Sequence, residues 1–357
     1  MVGRSGTSNS SSRRSATSAK LRSRASLSSS ARKSGTRIAI LSPAHGPSRA
    51  GNAVTARRYA RFFRALGYRV RIYPSAIETV DAEIVVALHA KKSAAAALRF
   101  RKRVPHGRLI VVLTGTDIYR DLPRSRLAQR AVAAADALVA LQPLALARLA
   151  PSLRAKAATI VQSVSLPPLP IPSKRIPKRY EFAVLGHLRD EKDPLRAAYA
   201  LKQLPSEIPA FVTLAGGILD DRYRAKMNDE AARNARFRYR GEIGARAALA
   251  LLSRSDALVL SSRMEGGANV LGEAIALRVP VLASRIDGNI GLLGKDYPGY
   301  FTVGSTASLR ALLTRFIEDR AFRRSLRAHI AALAPLVRPA RERAAWARLL
   351  RRCHSKR

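Results

Sequence analysis

From residue 37 onward the chain alternates two patterns. Short apolar runs, nearly continuous in Val, Ile, Leu and Ala, occur at 37–43 (RIAILSP), 68–73 (YRVRIY), 83–89 (EIVVALH), 109–114 (LIVVLT), 137–141 and 159–162. Their length and β-branched content predict strands. Between them, 52–66, 91–103 and 125–135 place apolar residues at three- and four-residue spacing, which predicts helices. Gly67 follows the first of these, where a glycine ends a helix most easily. Strands without polar alternation, each followed by a helix, predict a parallel sheet covered on both faces.

The pattern breaks at 165–180 (SLPPLPIPSKRIPKRY), which holds five prolines and no helical period and is expected to be a stiff linker. It then resumes. Strands are predicted at 182–186, 211–216, 237–241, 257–261 and 279–284, and helices at 194–204, 221–234, 245–253 and 268–278. Two α/β halves joined by such a segment leave a cleft between them, and ligands of these folds sit at the carboxyl ends of the strands. A last helix is predicted at 339–352, starting at Pro339 and carrying Trp346, Leu349 and Leu350. The expected division is a tail over 1–36, a first Rossmann-like domain over 37–164, the linker over 165–180, a second domain over 181–335 and the closing helix and tail over 336–357.

Composition changes this picture at two points. Residues 1–36 contain 13 Ser, 8 Lys or Arg and no acid, too little apolar surface to fold. They lack the apolar stretch of a signal peptide and read as a disordered tail or an upstream start, although an organellar transit peptide has a similar composition. The whole chain has 65 Lys and Arg against 24 Asp and Glu, a net charge of +41. That balance suits a nucleic-acid binder, but the arginines are scattered along every helix, with neither a lysine block nor a zinc-finger spacing. They read as solvated helix faces whose field favours an anionic substrate. No apolar run reaches the length of a membrane span. The single cysteine, Cys353, excludes an internal disulfide and fits a cytoplasmic location; it is placed in the C-terminal tail, away from any motif.

The candidate chemistry lies in two turns. Residues 261–273 (SSRMEGGANVLGE) begin where a buried strand ends and run into a helix starting near Ala268 or Asn269. Helix-terminal N–H groups favour a diphosphate, and Gly266 and Gly267 permit close backbone approach. Glu273, a turn or two into the helix, is placed to accept hydrogen bonds from two ribose hydroxyls, with Glu265 toward the sugar. Two glutamates eight apart are common by chance, and the preceding strand and the EGG turn are what give the spacing weight. Residues 184–194 (VLGHLRDEKDP) supply cations at the matching turn of the second domain's first strand. A transferase without a metal needs Arg and Lys to stabilise a departing nucleoside diphosphate.

The spacing from Glu265 to Glu273 resembles the donor signature of the family-4 retaining glycosyltransferases. These usually carry a Gly-Arg-Leu turn with a Lys six residues after the Gly. Here Gly186 and Lys192 keep that spacing, but His187 occupies the Arg position and Arg189 follows two residues later, so either could meet the diphosphate. More specific phrases, SRAGNAVTARRYARFFRALGYRV (48–70), VVLTGTDIYRDL (111–122), VLGHLRDEKDPLRAA (184–198), SSRMEGGANVLGEAIA (261–276) and VPVLASRIDGNIGLLGKDYPGYF (279–301), resemble the selenosugar synthases of selenoneine biosynthesis over roughly residues 37–350. The resemblance implies a GT-B fold: α/β, two Rossmann-like domains with parallel sheets facing a central cleft, and a final helix crossing back to the first domain. It also implies transfer of N-acetylglucosamine or glucose from a UDP-sugar to selenophosphate, with no metal or other cofactor. Such an acceptor is anionic and nucleophilic, needing cations and donors rather than a strong base.

The expected catalytic groups are Arg189, Lys192, Glu265 and His89. The expected donor site comprises Gly186, His187, Arg189, Lys192, Arg263, Glu265, Gly266, Gly267, Ala268, Asn269 and Glu273. The expected acceptor site comprises Arg49, Gly51, Asn52, Thr55, Lys91, Thr114, Thr116 and Asp117, with Lys92 beside them. Asn52, Thr55 and Asp117 suit helix or turn caps equally well, and Lys91 and Lys92 suit a solvated loop. Two other readings stand beside this one. One is a GT-B transferase acting on a hydroxyl of a lipid, polysaccharide or small molecule; the other is a basic nucleic-acid-binding protein, which would leave Glu265, Glu273 and their glycines without a purpose. Expected partners are therefore the two small substrates, without nucleic acid and without an integral membrane segment.

Overall fold

A computed structural model describes residues 35–44, 46, 48, 50–169 and 179–355. Most of the expected tail, residues 170–178 of the expected linker, and Arg49 lie outside the described residues.

The described chain forms two six-stranded sheets, parallel throughout. The first runs in the order β2-β1-β3-β4-β5-β6: β1 Arg37–Ser42, β2 Arg69–Pro74, β3 Ile84–Leu88, β4 Arg108–Leu113, β5 Ala137–Ala140 and β6 Ala157–Thr159. Register follows the apolar runs, with Ile38 opposite both Val70 and Ile84. The second runs β12-β11-β10-β7-β8-β9, from β7 Tyr180–Leu185, β8 Ala210–Ala215, β9 Phe237–Tyr239, β10 Ala257–Leu260, β11 Val281–Ser284 and β12 Tyr300–Phe301. In each sheet the strand order reverses beside the first strand, which opens a crevice there at the carboxyl ends.

The expected strand at 159–162 is shifted: pairing ends at Thr159, and the chain leaves the sheet to reach the second domain. Two helices that the apolar pattern left unassigned, Thr306–Glu318 and Arg320–Leu333, cover the second sheet through Leu309, Leu313, Phe316, Phe322, Leu326 and Ile330.

The helices that bear on the site are α1 Gly51–Ala65, α2 Asn269–Leu277, α3 Asp287–Leu293 and α4 Pro339–Ser355. Gly67 closes α1 at φ +90°, a conformation that glycine adopts without strain. The last helix, α4, does cross back to the first domain. Trp346 is fully buried there, with ring centroids 4.6 Å from Tyr59 and 5.0 Å from Phe63 of α1, both near edge-on. Leu349, Leu350 and Cys353 join the same core. Cys353 is therefore a buried residue of a helix rather than part of a tail, packed among apolar groups that hold its thiol away from solvent.

Candidate active site

The crevices of the two sheets face one another and enclose a cavity of about 460 Å³, within the range typical of small-molecule sites. The first domain lines it with the segment after β1, the start of α1, the turn after β3 and the TGT loop after β4; the second lines it with the turns after β7, β8 and β10 and the start of α2.

Two helix starts meet here. The cap of α1 is Ala50 and that of α2 is Ala268, and neither receives a side-chain capping bond. Asn52 and Thr55 thus do not cap α1. The terminal N–H groups of both helices are left for whatever occupies the cleft. The ends are close: a Cβ on Gly51 would stand 3.4 Å from Asn269 Nδ2. Gly51, Asn52 and Thr55 all line the cavity, and Thr55 accepts a 2.8 Å bond from Gln162 Nε2, a cleft residue with no local sequence signal.

The loop after β4 is organised by Asp117. Its carboxylate is fully buried and accepts from the N–H groups of Ala90, Thr114, Gly115 and Ile118 at 2.7–3.1 Å. The expectation that it contacts the acceptor is overturned, since its oxygens are occupied by backbone donors. Thr114 and Thr116 remain on the cavity wall. Lys91 is likewise corrected: its half-exposed ammonium lies 3.7 Å from Asp121, and Lys92 is the one that lines the cleft.

His89 lies just past β3 with φ +72°, a sparsely populated conformation for any residue that carries a Cβ. Its Nδ1 accepts from the Lys92 N–H at 3.3 Å, which leaves the proton on Nε2, 3.1 Å from Thr116 Oγ1. Burial pushes the imidazole below its ordinary range, with Asp117 and Asp121 opposing. The ring is therefore a neutral donor on the wall, and the expected catalytic role narrows to donating a hydrogen bond.

On the second domain, the turn after β7 and the turn after β10 are joined. Ser261 Oγ donates to the Asp193 carbonyl at 2.7 Å, and the Arg263 N–H donates to the Glu191 carbonyl at 2.8 Å. This places Lys192 Nζ against Glu265 Oε1, which also accepts from Ser262 Oγ at 2.7 Å. Gly186, His187, Arg189 and Lys192 all line the cavity. Arg263 does not: half-exposed and 3.7 Å from Asp193, it belongs to the outer surface, which corrects its expected place at the donor.

The helix-start residues Ala268 and Asn269 line the cavity, as does Glu273, whose carboxylate has neither a hydrogen bond nor an ion pair to any described residue. It stands as an open acceptor on the wall. Burial raises its pKa, opposed by the charge of Arg58.

The glycines of the EGG turn line the cavity and have a second task beside the expected one. A Cβ on Gly266 would stand 2.5 Å from the Thr114 carbonyl carbon and 2.6 Å from the Gly115 nitrogen, both backbone of the other domain. A Cβ on Gly267 would stand 2.8 Å from Leu141 Cβ. The pair lets the domains touch at the floor of the cleft. Gly266→Ala is expected to force them apart at a cost of about 1–3 kcal/mol. Steady-state transfer assays should show kcat/KM lowered roughly 10- to 100-fold, with the thermal midpoint of unfolding lowered by only a few degrees. Full activity would mean the closed contact is not needed for turnover.

The cleft is also pinned from domain to domain at its rim. Arg120 Nη1 lies 2.6 Å from Glu191, and Arg148 Nη2 lies 2.6 Å from Asp287 of α3. Both pairs are partly exposed and carry little stability individually; they orient the halves.

Residues 171–332 match the family model described as glycosyl transferases group 1, the stretch that contains every second-domain residue of the cleft. The chain is a glycosyltransferase of the GT-B fold. Solved structures share this enzyme's whole arrangement at low identity. Sucrose-phosphate synthase from Thermosynechococcus elongatus has a TM-score of 0.73 and 15% identity, over 90% of this chain and 100% of that one. Anabaena HepE, solved in complex with UDP and glucose, has a TM-score of 0.68 and 14% identity, over 88% and 99%. An Escherichia coli structure described as trehalose-6-phosphate bound with UDP-2-fluoro glucose has a TM-score of 0.67 and 12% identity, over 88% and 99%. Among the described residues of the enzyme, no helix is long and apolar enough to cross a membrane.

Proposed function

We propose that the enzyme transfers a sugar, N-acetylglucosamine or glucose, from a UDP-sugar to selenophosphate. The bond between the anomeric carbon and selenium forms, the bond from that carbon to the diphosphate oxygen breaks, and the electron pair leaves with UDP. On the donor side the reading is supported by Glu273, the open α2 start, and Lys192 with Arg189 and His187, and by UDP and UDP-sugars in the related solved structures. Either Arg189 or His187 meets the diphosphate beside Lys192. No metal takes part in this reading, since these cations and N–H groups offset the charge of the leaving group.

One observation carries the acceptor. The three carboxylates on the cavity wall, Glu242, Glu265 and Glu273, all come from the second domain, whereas the first domain contributes Arg57, His89, Lys92 and the open start of α1. Among the described residues that half lines the cavity with cations and donors but no carboxylate base, and His89 already carries its proton on the nitrogen facing Thr116. A sugar hydroxyl or lipid alcohol must lose a proton in order to attack. A selenophosphate anion attacks without that step, and a half-site of positive potential concentrates it. Thr114 and Thr116 supply hydroxyls, and Gly51 and Asn52 backbone N–H groups, to its oxygens.

The test is UDP release from purified protein given UDP-N-acetylglucosamine or UDP-glucose, with and without fresh selenophosphate, with mass spectrometry of the product. Release that requires selenophosphate, with the selenium isotope pattern on a hexose or hexosamine, supports the proposal. Turnover with a hydroxyl acceptor instead would replace it. In the same assay Glu273→Ala is expected to raise the donor KM about 10- to 100-fold, from loss of charge-assisted bonds worth about 1.5–3 kcal/mol each, with a smaller change in kcat. An unchanged KM would take Glu273 out of the ribose site.

A further inference from the structure

Arg58 lies on α1, yet its guanidinium is buried beneath the cleft. Nε stands 3.3 Å from Glu342 Oε2 of α4, whose side chain is fully buried. Nη1 donates to Asn269 Oδ1, at the first position of α2, at 3.3 Å. Glu342 in turn accepts from the Ser163 N–H at 2.7 Å, on the segment that leads out of the first domain. One guanidinium therefore touches the first domain, the returning helix and the start of the helix that carries Glu273. A buried ion pair gives little net stability against apolar packing, so stability alone does not account for its position.

We infer that Arg58 is a positioning residue of the donor site: braced by Glu342, it fixes Asn269 at the start of α2, the helix that presents Glu273 to the nucleotide. The inference rests on the donor half of the proposed function and is independent of the acceptor. Arg58 is the charge that bears most directly on Glu273, with Glu342 behind it; Arg57, Lys92, Arg189, Lys192, Glu242 and Glu265 share the cavity wall, and Gln162, Val164 and Val337, packed against Gly272 beside it, are neutral. Burial raises the Glu273 pKa and Arg58 lowers it. With Arg58 neutralised, the carboxyl takes up its proton at a higher pH. Nucleotide affinity is then lost as pH falls and restored as pH rises.

UDP binding is measured by titration calorimetry from pH 6 to 8.5 on the full chain, the R58Q/E342Q double variant and Arg58→Lys. The double variant removes both charges together, so no buried carboxylate is left unpaired, and circular dichroism confirms that it is folded. Apart from protonation of the terminal phosphate of UDP at about pH 6, which acts on every variant alike, the wild type is expected to bind UDP with nearly flat pH dependence. The double variant should bind about tenfold more weakly at pH 6 and return to within about threefold of wild type at pH 8.5. Arg58→Lys, which keeps the charge but not the planar fork, should restore the flat profile and leave a uniform loss. A double variant that binds like wild type at every pH, or is weakened equally at every pH, overturns the inference. A wild type that does not bind UDP removes the donor reading itself, and this inference with it.

Discussion

Lys192→Ala is expected to lower kcat about 10²- to 10³-fold, the scale on which a single preorganised group stabilises charge that develops in a transition state. The lysine sits on the turn after β7, held by the bond from Ser261 to the Asp193 carbonyl, with its ammonium against Glu265 in the cleft. When the diphosphate leaves it gains negative charge, and a cation fixed beside it acts mainly at that moment. The donor KM should therefore change much less than kcat. Initial rates of UDP release across donor concentrations separate the two. A kcat near wild type would assign the leaving-group charge to Arg189 or His187, which share the wall.

Trp346→Ala carries the second large effect, on folding rather than chemistry. The indole is fully buried between Tyr59 and Phe63 and joins the last helix to the first domain's core. Removing a buried aromatic of this size costs about 3–5 kcal/mol. Urea unfolding followed by fluorescence of tyrosine and by far-ultraviolet circular dichroism should show the first domain's transition displaced to lower denaturant. Because α4 also carries Glu342, the brace of Arg58, nucleotide affinity should fall with it. A transition that does not move would mean that α4 contributes little to that core.

Much of this architecture is legible in the sequence, because strands and helices of a doubly wound sheet are written locally. The apolar runs at 83–89 and 109–114 are β3 and β4 to within a residue or two at each end, and Gly67 ends α1 at a positive φ. The two turns bearing Lys192 and Glu265 stand out because residue type and strand ending coincide. What the sequence conceals is contact between distant segments. Arg58 reads as one more arginine on an arginine-rich helix, and only folding brings it to Asn269 and Glu342. The EGG glycines suggest a phosphate cradle, whereas the atoms that would collide with a Cβ belong to Thr114 and Gly115. Asp117 has the same residue type whether it meets a ligand or four backbone amides; its burial decides for the amides. Lys91 and Lys92 are neighbours of identical chemistry, separated only by the direction in which the turn after β3 points them.

The crossing of α4 also has a consequence for biosynthesis. Tyr59 and Phe63 leave the ribosome almost three hundred residues before Trp346 reaches them. Through translation of the whole second domain, the apolar face of α1 and its sheet lacks its cover. The second domain, whose core is drawn from the continuous stretch between Phe182 and Val337, can condense first. Vectorial synthesis thus inverts the order of the domains: the one translated first is completed last. Its exposed face is where a chaperone would bind the nascent chain, and a released chain ending just before residue 339 should be protease-sensitive in the first domain and resistant in the second.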